Sequence, residues 1–166
     1  MSFRELIAFF EDSGVADSIR ENDNLFPLIE SIHVLAISLV VGSILAVDLR
    51  LLGLAWMTRP VSRVTNGILP LTWCAFIAAV VSGGLLFISN ATKYLANGCF
   101  VAKMILIAIA GVNMLAFHLV GARDQPRWDN DIGPPLKARF AGGLSILLWI
   151  VVVTCGRWIG FTMRIR

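Results

Sequence analysis

"ESIHVLAISLVVGSILAVDLR", residues 30–50, settles the class of the protein. Between Glu30 and Asp48 the only ionisable side chain is His33, in a run long enough to cross ~30 Å of hydrocarbon as a helix. Comparable runs follow at Leu71–Asn90, Val101–Gly121 and Phe140–Thr162, the last with Arg157 near its end. Hydrophobic residues make up 57% of the 166 positions and charged ones 15%, the balance of a membrane protein. The expected fold is all-α: an integral membrane four-helix bundle, up-down-up-down, with spans at about 28–50, 70–90, 101–122 and 140–162. Residues 25–166 then form the bundle, and residues 1–24 an N-terminal surface segment.

That segment carries Glu5, Glu11, Asp12, Asp17, Glu21 and Asp23, unlike the basic, apolar opening of a signal peptide, so no cleavable leader is expected. Phe3, Leu6, Ile7 and Phe10 recur at helical spacing, with Gly14 as the expected stop. They predict a short amphipathic helix on the bilayer surface or capping the bundle. Pro27 suits the first turn of span one, and Pro70 is expected to open span two. A short turn at Lys93–Gly98 joins spans two and three, while Gln125-Pro126 and Gly133-Pro134-Pro135 interrupt the connection to span four.

The connections after spans one and three hold Arg50, Arg59, Arg63, Arg123, Arg127, Lys137 and Arg139, which places both termini outside, in the periplasm of a bacterial inner membrane. Trp56, Trp73 and Trp128 on one side, with Tyr94 and Trp158 on the other, are expected to form interfacial belts. The formal charge of +3 reads as membrane anchoring, and nucleic acid is not an expected partner. Cys74, Cys99 and Cys155 stand singly, without Cys-x-x-Cys or covalent-haem spacing. Gly-x-Ser-x-Gly, P-loop and His-Glu-x-x-His motifs are absent, which leaves open whether the protein is an enzyme.

Ionisable groups at membrane depth are costly and carry the functional reading. Span one supplies His33 and Asp48, fifteen residues apart and within about 60° on one helix face. Span three supplies Lys103 and His118 at the same separation. Because spans one and three run the same way, His33 matches Lys103 in depth and Asp48 matches His118, with roughly 20 Å between the two levels. The two histidines of one copy therefore cannot ligate one iron.

At the first level, His33 is the candidate axial ligand of a haem b, with Met104 or a histidine of another copy opposite, near Lys103. A copper ion held by His33, Met104 and a cysteine is the alternative metal site. A histidine hydrogen-bonded across the bundle, or one touching quinone, would need the same residue. At the second level, Asp48, Arg50, Asn113 and His118 are expected to gather. There Asp48 either orients His118 as a ligand or simply pairs with it. Ser38, Gly42 and Ala46 form a small-residue stripe that predicts a homodimer or trimer.

"ESIHVLAISLVVGSILAVDLRLLGL" together with "FVAKMILIAIAGVNMLAFH" resembles a family of small bacterial four-span membrane proteins of unassigned function. It is also similar, more distantly, to the copper-resistance D membrane proteins and, by architecture, to b-type membrane cytochromes. Ser31-Ile32-His33, Asp48-Leu49-Arg50, Lys103, Asn113 and His118 carry the resemblance. It implies a membrane-embedded redox protein passing electrons to quinone or a redox partner protein. Its other implications are a copper or small-solute transport component, or an assembly subunit without cofactor. Two histidines instead of four exclude two bis-histidine haems in one copy.

Overall fold

The computed structural model describes residues 3–117, 119, 128–129 and 134–164. Among them the chain forms seven helices: α1 (Phe3–Glu11), α2 (Gly14–Glu21), α3 (Leu25–Leu51), α4 (Val61–Ser89), α5 (Ala91–Leu95), α6 (Gly98–Ala116) and α7 (Leu136–Arg164). Helices α3, α4, α6 and α7 are long and apolar enough to span a membrane. Their outward faces are apolar, with Leu35, Ile77, Val112 and Ile150 all exposed, as contact with lipid tails requires.

Polar pairs between the helices fix their directions. His33 meets Ser82, and Ser43 meets Thr72 at 2.9 Å, so α4 runs back along α3. Asn97 meets Thr162 at 2.8 Å and Asn113 meets Ala141 at 3.1 Å, so α7 runs back along α6. The Asp48 backbone lies against Gly142, which joins the two hairpins through α3 and α7. Close packing therefore follows the order α4, α3, α7, α6. Helices α4 and α6 meet through the stacked rings of Phe87 and Phe100 at 5.5 Å, beside Tyr94, and do not pack closely along their lengths.

Several expected boundaries move. Pro70 lies inside α4, whose first residue is Val61. The polar stretch around Ser62, Arg63, Thr65 and Asn66 extends the helix because a distant carboxylate caps it. Asp129 accepts from Ser62 N at 2.7 Å and from Ser62 Oγ at 2.6 Å, satisfying donors that a helix start leaves open. Beside it, Trp128 is only 8% exposed and packs with Leu51, Val61 and Ala138. It belongs to the core at that end and not to an interfacial belt. Trp56, Trp73 and Trp158 do stand exposed.

Gly14 begins a helix instead of ending the chain's first one. Ser13 Oγ accepts from Ala16 N at 3.3 Å, the N-cap bond that starts α2, and Asp17 sits in its first turn. Ala16 and Ile19 of α2 are buried, and Arg20 donates to the Ser89 carbonyl at 3.3 Å. Helix α1 packs on α5, where Glu11 accepts from Thr92 N at 3.1 Å and from Thr92 Oγ1 at 2.6 Å. The connection expected as a short turn thus contains α5, and the N-terminal helices cap the bundle there. Tyr94 of α5 is partly buried. Burial pushes its phenol up from the ordinary value, and the charge of Glu30 adds to the shift.

Candidate functional site

Helix α3 turns His33 towards α4. The ring's Nδ1 lies 3.0 Å from Ser82 Oγ. Ser82 points its own hydroxyl hydrogen at the Ala78 carbonyl, 2.6 Å away, one turn back along α4. With that hydrogen committed, Ser82 Oγ acts as acceptor, and His33 Nδ1 carries the proton. The Ala79 carbonyl, 3.4 Å from Ser82 Oγ, lies near the same edge of the imidazole. In a neutral ring this leaves Nε2 with its lone pair.

The ring fits because residue 83 is glycine. A Cβ there would stand 2.8 Å from His33 Cε1 and 3.3 Å from Nδ1, closer than real contacts allow. Gly83 thus cradles the imidazole. Helix α6 contributes Lys103 at this level, near enough for its charge to act on His33. The lysine stem runs along α7, with Nζ 3.6 Å from the position of a Cβ on Gly156, and Cys155 is close enough to interact with the ammonium. His33, Ser82, Lys103 and Cys155 thus gather from four helices.

Met104, next to Lys103 on α6, is 49% exposed. Among the described residues no three His, Cys, Asp or Glu side chains converge as a closed metal site requires.

The second level is built differently. Asp48 is 5% exposed and shares a side-chain hydrogen bond with Ser145 of α7. Its Oδ2 has no hydrogen-bond partner among the described residues. Asn113 does not reach Asp48. Its amide donates to the Ala141 carbonyl, so Asn113 and Asp48 grip neighbouring residues of α7 from two helices. Arg50 is fully buried and donates from Nε to the Arg59 carbonyl at 2.9 Å, holding the turn after α3. His118, expected beside Asp48, lies outside the described residues.

Ser145 and Gly156 were not legible as partners from the sequence. Ser82 and Gly83 were visible only as part of a Ser-Gly-Gly run in an apolar helix. Such runs signal close approach without saying to what.

No curated protein and no solved structure matches the chain. A family of unknown function, DUF6644, matches residues 25–162, which takes in the four long helices but for the last two residues of α7, and every candidate residue at both levels. The chain therefore belongs to the DUF6644 family.

Proposed function

We propose that the protein is a b-type haem redox protein of the bacterial inner membrane, with His33 as the axial ligand through Nε2. One observation carries this reading. The Ser82 hydroxyl, committed to Ala78, holds the imidazole by Nδ1–H and leaves the lone pair of Nε2 for a ligand. Ligating histidines are usually oriented in this way, by a hydrogen bond from the ring's other nitrogen. The residues fit the cofactor in two further respects: Gly83 makes room for the ring, and α4 and α6 do not close on each other along their lengths. The haem would supply one-electron chemistry, exchanged with quinone or a redox partner protein.

The chain's own part is to orient the imidazole, exclude water by its apolar surroundings and set the local charge through Lys103. Self-association through Ser38 and Gly42 fits their exposure on α3. That stripe is centred about 140–180° around the helix from His33, so copies joined there keep their imidazoles apart. The charge distribution supports periplasmic termini.

Absorption spectra of detergent-purified protein, expressed with added haem and read oxidised and then reduced with dithionite, test the proposal. A Soret band and carbon monoxide binding by the reduced form are expected. A preparation without any Soret band removes the haem reading.

A further inference from the structure

Lys103 is an ammonium at membrane depth that turns inward. Lysines near helix ends ordinarily extend towards headgroups. Here the stem instead follows α7, into the space that Gly156 leaves. Among the described residues no carboxylate lies within ion-pair distance of it. Glu30, one turn before His33, is exposed, and its charge acts on Tyr94. The neighbours that feel the Lys103 charge are His33 and Cys155, neither of them a carboxylate.

Beside it runs the seam between α4 and α6. The two helices touch at the Phe87–Phe100 stack, which closes the seam towards α5, and do not pack closely along their lengths. A cation, a neutral imidazole and an apolar seam together call for an apolar ligand with an acidic edge. Haem b is such a molecule, carrying two carboxylates on an otherwise apolar ring.

We propose that Lys103 is the counter-charge for a propionate of the haem bound at His33, an assignment that rests on the haem reading. Lys103 is then a binding residue. It selects for the acidic edge of the cofactor and fixes which way that edge faces. A charge-assisted hydrogen bond of this kind corresponds to about tenfold in affinity.

The test uses haem-free protein purified in detergent and titrated with haem b and with its dimethyl ester, in which both carboxylates are blocked. Dissociation constants are read from the Soret band. Wild type should bind the ester about tenfold more weakly than haem. K103Q should bind haem about tenfold more weakly than wild type and treat the two compounds alike, while K103R should retain the preference. Equal binding of both compounds by wild type overturns the assignment, and that arm needs no variant to fold. A preference that survives in K103Q overturns it as well. If neither compound gives a Soret band with wild type, the haem reading itself has failed and the pairing falls with it.

Discussion

At the His33 level four helices bring side chains together around space. At the Asp48 level three helices bring side chains against backbone. His33 meets a hydroxyl, Lys103 meets a glycine gap, and a Cβ on Gly83 would strike only a ring that can rotate. Asn113 instead meets the Ala141 carbonyl, and a Cβ on Gly142 would strike Asp48 O at 3.1 Å and Leu51 Cβ at 3.2 Å. One end holds polar groups beside a seam that the helices leave open. The other, Asp48 Oδ2 apart, uses polar groups to clamp helices together. Polarity inside a membrane protein thus marks a site only where the packing leaves room beside it.

The largest effect should come from removing the imidazole. H33A should lose the Soret band of haem-supplied protein, whereas H118A, fifteen residues after Lys103 in the sequence, should keep it. Loss of the band in H118A with retention in H33A would reverse the assignment of the two histidines. Next in size is G142A, where the obstacle is backbone and cannot swing aside. Forcing α3 and α7 apart should cost about 1–3 kcal/mol, as overpacked cores do. It would be read as a fall in Tm by circular dichroism in detergent, and an unchanged Tm would show that the clamp is loose.

The same glycine-to-alanine change at the other end separates the two regions directly. G83A pushes on His33 Cε1 from 2.8 Å, so the ring moves and its bond to Ser82 is lost. Little change in Tm is expected, but haem affinity should fall. S82A should do the same by removing the acceptor, with a loss of about 10-fold, the usual effect of deleting a ligand's orienting partner. Haem titration checks both, and wild-type affinity in S82A argues that the hydroxyl does not set the ring.

The smallest effect lies outside the spans. Tyr94 should ionise above its ordinary value of 10.0, and E30Q should bring that titration part of the way down, leaving the share due to burial. Because the folded form keeps the phenol proton longer than the unfolded chain, this interaction leaves stability intact below pH 10.0. Above that pH, stability falls as the pH rises through the folded-state value. Tyrosinate absorbance against pH reads the shift, and identical curves for wild type and E30Q would remove Glu30 from the account.

The four long helices were legible because apolar runs between charged turns are dictated by the solvent around them. Their ends were less so. Pro70 reads as a helix start, and nothing local to residues 60–70 reveals that Asp129 caps the true one. Gly14 reads as a stop until Ser13 is recognised as an N-cap. The shared depth of His33 and Lys103 followed from helix rise alone. Rotation about the helix axes decided the rest. It turned Asn113 to Ala141 and picked Ser82 from many small residues as the partner of His33. Sequence periodicity gives relative angles on one helix, but not which neighbour each face will meet.

The contact between Glu11 and Thr92 joins positions separated by 81 residues. During synthesis the amino-terminal helices emerge first, yet the segment they cover is made only after two spans have been translated. Helix α1 can therefore reach its docking place only after the α3–α4 hairpin has formed and α5 has followed it. Docking there runs opposite to chain order: α1 is made before α5 and settles on it afterwards. A long fusion placed ahead of Phe3 should slow that late step while leaving insertion of the spans untouched.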